Sequence, residues 1–191
     1  MNQPTLLAFD TSAAHCAAAL LCRGQVTIRV DEMAKGQAEH LMPMLEAMMA
    51  EQELAWSDLD AIAVGIGPGN FTGIRIGVSA ARGLALGLGK PAIGVSTLKA
   101  QVHGLERPVR ACVPAPRGMA YVQDFAESVS EPELVEMPTD PMPMSAANLL
   151  IEKMVHIAAD RLDGPSERPV PLYIRPADAA PSKTPPPVIL P

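Results

Sequence analysis

The sequence predicts an α/β fold, and three features of the chain support this class. Residues 61–100 have the pattern of a strand, a glycine loop, a helix and a second strand, which is the outline of a βαβ unit. Residues 6–30 alternate short apolar runs with polar turns, which indicates a β-meander. Sixteen of the 20 prolines lie from Pro108 onward. We therefore expect a first domain over 1–106 and a reduced, proline-rich second domain over 107–191.

Composition and charge narrow the class of protein further. The net charge of −6 argues against non-specific nucleic-acid binding by bulk charge. The three cysteines lack CxxC spacing, so we expect neither a disulfide framework nor a zinc site, and the expected compartment is a reducing cytoplasm. No apolar run reaches the roughly 18 residues that span a bilayer, and the first residues have no basic region typical of a secretory signal. We therefore expect a cytoplasmic protein without membrane contact.

The first half of the chain alternates strands with helices. Apolar runs of β-prone residues predict its strands, at 6–9, 17–22, 26–30, 61–66 and 91–95. Two long helices are predicted over 37–52 and 72–88, and a short one over 97–104. The first long helix rests on an apolar stripe at helical spacing, formed by Leu41, Met44, Leu45, Met48 and Met49.

The second half is less regular because proline interrupts it. Strands are predicted at 109–113 and 120–125, whereas residues 127–144 show no clear period. Only 172–175 is predicted to pair as a strand in the tail, and the last ten residues are expected to be extended or disordered.

One further helix is predicted in this half, from Ser145 as its N-cap to about Leu162. Gly164 is the expected end of this helix. Its apolar stripe consists of Leu149, Leu150, Met154, Ile157 and Ala158.

A glycine-rich turn joins the predicted strand at 61–66 to the helix at 72–88. Glycine allows positive φ and lets backbone N–H groups converge on an anion, but neither the GxGxxG nor the Walker spacing is present. The turn therefore either binds a phosphate or supplies only the geometry that starts a helix. A second polar turn follows the first strand. The candidate nucleotide or phosphate ligands from the two turns are Asp10, Thr11, Ser12, Gly67, Gly69 and Asn70.

The helix over 72–88 has small residues along one face. Gly73, Gly77 and Ala81 recur every fourth residue, which allows a neighbour to approach closely. That neighbour is either this chain's own sheet or first helix, or a second protein. The helix is apolar all round apart from Arg75 and Arg82, so we expect burial on more than one side and hence a partner chain. Each arginine either meets a phosphate or carboxylate or lies on the surface.

No set of catalytic residues stands out in the sequence. His15, His40, His103 and His156 are scattered, and none belongs to an HxxxH or HExxH pattern. No carboxylate pair, Ser/His/Asp set or Cys/His set is recognisable. We therefore expect neither a metal site nor a catalytic site in this chain.

Four segments of the chain closely resemble the TsaB family, also called YeaZ. They are LLAFDTSAAHCAAALL, GQAEHLMPMLEAMM, GIGPGNFTGIRIGVSAARGLALGLGKPAIGVSTLKA and PLYIRPAD. The resemblance is dense over 5–104 and patchy, but in order, to about residue 178. The block GPGxFTGxRIG with the following GVST is highly specific for the family. This resemblance implies two ribonuclease H-like domains of the actin-like ATPase type, with mixed sheets, helices and a reduced second domain.

The resemblance also implies a function and partners. TsaB-like proteins are non-catalytic subunits in the biosynthesis of tRNA threonylcarbamoyladenosine, where they bind and activate the TsaD transferase and help to recruit the ATPase TsaE. The resemblance further implies a homodimer in isolation, tRNA contact only through the complex, no cofactor on this chain alone, and ATP or ADP only at the partner interface. The surface that contacts TsaD maps to Leu41, Met44, Leu45, Met48, Ile74, Arg75, Val78, Ala81 and Arg82.

Two departures from the family pattern bear on these expectations. Gln37 stands where relatives carry histidine, which argues against a metal or proton-transfer role at that position. Residues 114–121 lack the aspartate and glutamate that relatives carry in the first hairpin of the second domain. Two other functions stay open as alternatives. One is a glycoprotease-like peptidase, and the other is a nucleotide-binding phosphotransferase of the actin/Hsp70/sugar-kinase superfamily that uses Asp10 and Gly67–Gly69.

Overall fold

A computed structural model describes residues 3–164 and 167–174, and its first sheet has five strands. The strands are β1 (Leu6–Asp10), β2 (His15–Cys22), β3 (Gln25–Glu32), β4 (Ala61–Gly65) and β5 (Ala92–Val95). Their order is β3-β2-β1-β4-β5, in which β1 to β3 are antiparallel and β4 and β5 run parallel to β1. This mixed sheet confirms the predicted α/β class and has the ribonuclease H-like strand order.

Helices cover both faces of this sheet. They are α1 (Gln37–Glu51), α2 (Phe71–Leu88), α3 (Thr97–Val102) and α4 (Ala147–Ala159). Successive residues of β1 point to opposite faces. Leu7 and Phe9 pack with α1 and α2, whereas Leu6 and Ala8 pack with α4. None of the helices in the part of the chain that the structure describes is long and apolar enough to cross a membrane.

The second sheet is a three-stranded antiparallel meander. Its strands are β6 (Val109–Ala115), β7 (Met119–Phe125) and β8 (Glu133–Glu136). β8 lies in the stretch of 127–144 for which the sequence predicts no strand. The strand is short and both of its end residues are exposed glutamates, so it leaves no periodic apolar pattern in the sequence. The two sheets lie on either side of residue 106 in sequence, whereas α4, which follows the second sheet, packs on the first.

Four sequence expectations for the last part of the chain need correction or lie outside the described residues. Ser145 does not cap α4, because the helix begins at Ala147 and Ala146 makes no side-chain capping bond. Leu149, expected in the apolar stripe, is 47% exposed. Leu172 donates its N–H to Ile66 O at 2.9 Å without forming a strand. Residue 175 and the last ten residues lie outside the described part of the chain.

The turn between β1 and β2 approaches α2 very closely. A Cβ on Gly73 would overlap the carbonyl oxygen of Thr11, and a Cβ on Gly77 would lie 2.9 Å from Thr11 Oγ1. The Thr11 hydroxyl donates to Gly73 O at 2.7 Å, and Asn70 N donates to Ser12 O at 2.6 Å. The first half of the small-residue face of α2 therefore packs on this chain's own turn and not on a second protein.

We predict that Gly73→Ala destabilises the protein, because the new methyl group must displace the backbone of Thr11. The expected decrease in the free energy of unfolding is about 1–3 kcal/mol. Gly83→Ala is the matched control on the same helix, since a Cβ there has no heavy atom within 4 Å. It should stabilise the protein by about 0.5–1 kcal/mol through helix propensity. Urea denaturation of both variants measures the difference, and equal midpoints would contradict the close approach.

Candidate functional site

A cleft of about 480 Å³ lies where the β1–β2 turn, the first residues of α1 and α3, the loop before α2 and the β6–β7 hairpin meet. Its polar lining consists of Asp10, Ser12, His15, Gln37, Asn70, Thr97 and Tyr121. Its apolar lining includes Ala13, Ala14, Ala34, Pro68, Val113, Pro114, Pro116, Met144 and Leu150. The cleft thus has a small polar end and mostly apolar walls.

The structure brings most of the candidate phosphate ligands together at this cleft. Asp10, Ser12, Gly69 and Asn70 line it directly. Thr11 is buried and bonded to α2, and the carbonyl oxygen of buried Gly67 accepts from a backbone N–H of α3 at 2.8 Å. The other candidates are therefore structural supports behind the cleft.

Asp10 is the centre of the polar end. Its Oδ2 accepts from Ser12 N at 3.2 Å and from Ser12 Oγ at 2.9 Å, and it lies 3.1 Å from His15 Nε2. Its Oδ1 lies against β4, where a Cβ on Gly65 would overlap it, and has no hydrogen-bond partner among the described residues. Because Asp10 is only 6% exposed, these internal donors hold the carboxylate in one orientation.

The charge of the cleft does not suit a bare phosphate. Neither lysine nor arginine is among the described residues that line it, and the carboxylate of Asp10 lies at its polar end. Two like charges at close range repel in a medium of reduced dielectric. Within residues 3–164 and 167–174, moreover, no group of three or more metal-ligating side chains occurs. The cleft is therefore better suited to water or to a group that donates hydrogen bonds.

The geometry also does not assemble a serine nucleophile at this end of the cleft. Ser12 Oγ donates to Asp10 Oδ2, which is the same oxygen that lies beside His15. An activated serine needs its hydroxyl hydrogen-bonded to a general base, with the carboxylate behind that base. Here the carboxylate stands between the two groups, so this arrangement does not favour the peptidase alternative.

Seven of the nine residues predicted to contact a partner lie in this chain's own core. These side chains are at most 3% exposed and pack with the first sheet: Leu41, Met44, Leu45, Met48, Ile74, Val78 and Ala81. An apolar stripe at helical spacing marks the face that a helix buries, and here the sheet covers that face. The partner assignment of these seven side chains is corrected accordingly.

The two remaining residues, Arg75 and Arg82, are exposed. The guanidinium of Arg75 lies 3.7 Å from the centroid of the Phe71 ring, and its Nε donates to Tyr173 Oη at 2.9 Å. Arg75 is thus held within the chain by a cation–π contact and a hydrogen bond. Arg82 lines a groove at the end of α2.

Sequence patterns missed four polar side chains that line the cleft: His15, Gln37, Thr97 and Tyr121. His15 could have been found, because the predicted meander places the residue that begins β2 near the end of β1. Thr97 and Tyr121 have no such local signal. They reach the cleft because α3 packs against both α4 and the second sheet.

Cys16 lies beside the polar end of the cleft without lining it. Its Sγ is 3.8 Å from Met33 Sδ and 3.7 Å from Gln37 O. Burial, and then the nearby carboxylates of Asp31 and Asp10, raise the pKa of the Cys16 thiol to about 11. The thiol is therefore protonated and poorly nucleophilic at neutral pH.

Comparison with known proteins agrees with this fold. A family model described as "TsaD: tRNA N6-adenosine threonylcarbamoyltransferase" matches residues 31–131, which is more than half of the chain. The chain is 40% identical over 118 residues to the tRNA threonylcarbamoyladenosine biosynthesis protein TsaB of Haemophilus influenzae, covering 58% of this chain and 50% of that protein. It is 33% identical over 147 residues to TsaB of Escherichia coli, covering 68% of this chain and 64% of that protein. The chain thus spans only half to two thirds of the length of these relatives.

A solved structure has the same fold along most of the chain. YeaZ from Pseudomonas aeruginosa superposes with a TM-score of 0.72 at 26% identity, covering 89% of this chain and 99% of that one. The strand order of the first sheet defines a ribonuclease H-like α/β protein with a second, smaller sheet. The curated relatives and the YeaZ structure show that the chain belongs to the TsaB/YeaZ family.

We predict that Asp10→Ala lowers the free energy of unfolding by about 1.5–3 kcal/mol, since it leaves the buried donors of Ser12 and His15 without their acceptor. Asp31→Ala is the matched control. Asp31 also bonds a histidine, His40, at 2.6 Å, but both side chains of that pair are well exposed to solvent. The control should change stability by less than about 1 kcal/mol. Urea titrations in which both variants lose equal stability would contradict the role given to Asp10.

We predict that iodoacetamide at pH 8 modifies native protein at Cys22 and leaves Cys16 and Cys112 unmodified. Cys22 is partly exposed, whereas the other two are buried, and burial raises the pKa of both thiols. A raised pKa leaves little thiolate at pH 8, and thiolate is the reacting form. Peptide mass mapping after labelling gives the readout, with urea-unfolded protein as the control in which all three react. Equal labelling rates at Cys16 and Cys22 would contradict this environment.

Proposed function

We propose that this chain acts in tRNA threonylcarbamoyladenosine biosynthesis as a non-catalytic subunit that binds and activates a TsaD transferase and helps to recruit TsaE. Membership of the TsaB/YeaZ family supports the pathway, because the relatives from two bacteria are named as biosynthesis proteins for this nucleoside. The cleft supports the non-catalytic part, since the Ser12 hydroxyl donates to Asp10 and has no hydrogen bond to the imidazole of His15 among the described residues. The chain would then contribute a surface to the reaction.

The outer face of α2 is the surface that we assign to TsaD. It is formed by exposed and half-buried residues at helical spacing: Thr72, Ile76, Ser79, Ala80, Gly83 and Leu86. Leu86 is 82% exposed, and this large apolar side chain in water is the observation that carries the assignment. A shallow groove against α1, with Ala38 and Met42 on its far side, extends the same surface. The small side chains allow a partner helix to approach closely.

The same face leads to the remaining proposals about partners. In isolation, a second copy of the chain would cover it as a homodimer, because an exposed apolar face favours association. ATP or ADP would bind at the interface with TsaD, since the cleft of this chain has no cation in its described lining. Substrate tRNA would be held by the assembled complex, in the cytoplasm.

We predict that Ser79→Arg weakens binding to a TsaD homologue by at least about tenfold, which corresponds to ~1.4 kcal/mol. Ser79 is exposed at the centre of the outer face, so a long charged side chain there would block a closely packed helix. Asn148→Arg on α4 is the control, because Asn148 is also an exposed polar residue on a helix but lies away from this face. Calorimetric titration of each variant into the TsaD homologue gives the affinity, and thermal melts show that folding is intact.

Two outcomes would contradict the proposal at different levels. Unchanged affinity in Ser79→Arg would show that the outer face of α2 is not the binding surface. Absence of any binding by the unsubstituted chain would contradict the role as a TsaD partner.

A further inference from the structure

The charges of this acidic chain are strongly segregated along the sequence. Between Asp60 and Asp124 the only acidic residue is Glu106, whereas seven lysines and arginines lie there. The chain as a whole has a net charge of −6, so its other parts are markedly acidic. This central stretch folds into β4, α2, β5, α3, β6 and most of β7. Four of its seven cations lie on α2, just before β5, on α3 and just before β6: Arg82, Lys90, Lys99 and Arg107.

The positive charge gathers around β5, the edge strand of that sheet. A groove of about 580 Å³ at the start of β5 is lined by Arg82, Lys90 and Arg168, and no carboxylate is among its described lining residues. Gly83 and Leu86 also line this groove, so it adjoins the outer face of α2. Next to it, Arg161 Nη1 donates to Gly94 O of β5 at 2.7 Å. None of these four side chains forms a salt bridge within the described residues.

The positive surface continues from β5 onto α3. Partial desolvation lowers the pKa of Lys99, and the nearby charges of Arg161 and Arg107 lower it further, while Asp160 acts in the opposite direction. Two cations and one carboxylate therefore surround Lys99, which is itself exposed. A surface with uncompensated positive charge gains most from an anionic partner.

The opposite edge of the sheet differs in charge. There β3 carries Asp31 and Glu32, and Arg29 is paired with Glu51 at 2.6 Å. Charged residues at sheet edges also prevent strands of different molecules from pairing, and the bond from Arg161 to Gly94 O serves that purpose at β5. A single such cation is enough for protection, however, and five more lie around this edge.

We propose that the basic edge, defined as Arg82, Lys90, Lys99, Arg107, Arg161 and Arg168, binds the phosphate backbone of RNA. Four of its six cations are arginines, whose planar guanidinium groups bind phosphate oxygens in pairs. In the groove at the start of β5, no carboxylate stands among the lining cations Arg82, Lys90 and Arg168. Such a lining matches a polymer of uniform negative charge better than a protein surface of mixed charge. The inference rests on the proposed role in tRNA modification and adds that this chain itself contacts the nucleic acid.

The test is fluorescence anisotropy of a labelled, unmodified tRNA transcript titrated with the full chain, alone and with its TsaD homologue, at several salt concentrations. The double variant Lys99→Gln/Arg168→Gln should reduce the slope of log affinity against log salt by about 2, since each lost phosphate contact removes about one unit. The control is Arg23→Gln/Lys35→Gln, two exposed cations away from the basic edge, which should leave the slope unchanged.

Three results would overturn the inference. They are no tRNA binding by the chain even at low salt, equal slopes for the two double variants, and equally tight binding of polyglutamate, which would point to an acidic protein. Affinity for the TsaD homologue is measured on the same variants. If Lys99→Gln/Arg168→Gln binds TsaD normally and its salt slope for tRNA is unchanged, only the RNA-binding role of the basic edge is rejected. If the unsubstituted chain does not bind TsaD, the proposed function is rejected.

Discussion

The arrangement of the whole molecule depends on how closely the turn after β1 approaches the β4–α2 connection. Glycine occupies positions 65, 69, 73 and 77, and a side chain at any of them would meet Asp10, Ser12 or Thr11. Gly65 allows the Asp10 carboxylate to lie against β4. Gly69, Gly73 and Gly77 allow the turn to pack against the loop before α2 and the first half of that helix. The same absence of side chains therefore fixes both the polar end of the cleft and the position of the helix.

Local sequence patterns predict most of this fold, because short segments of the sequence indicate which residues are buried and which form strands. The strands of the first sheet and the stripe of α1 are predictable, since an apolar run or a helical spacing involves only residues a few positions apart. The partner of a small-residue face was not. Gly73 and Gly77 indicate that another part of the protein approaches closely, but only the folded chain shows that this part is Thr11. Leu41 and Val78 are predicted to contact a partner although the sheet buries them. An apolar stripe that packs on the chain's own core has the same sequence pattern as one that binds a partner.

The cleft could be predicted only in part. Asp10, Ser12 and Asn70 belong to two turns with visible sequence signals, whereas Thr97 and Tyr121 arrive from elements whose packing has no local signature. At the polar end, Asp10 Oδ2 already has three neighbouring donors, whereas Asp10 Oδ1 has no hydrogen-bond partner among the described residues. On the exterior of the described residues, the apolar face of α2 is open to solvent and the cations around β5 form no salt bridges.

The position of α4 has a consequence for the synthesis of this chain. One face of the first sheet is rich in alanine, with Ala8, Ala17 and Ala19 facing the larger Leu150 and Met154 of α4. These partners lie more than a hundred residues apart, so the sheet face stays uncovered on the ribosome until α4 emerges. Contacts of such long range close late and slow the folding reaction. Such a nascent chain would have to keep its first strands from aggregating until α4 is synthesised and packs on the sheet.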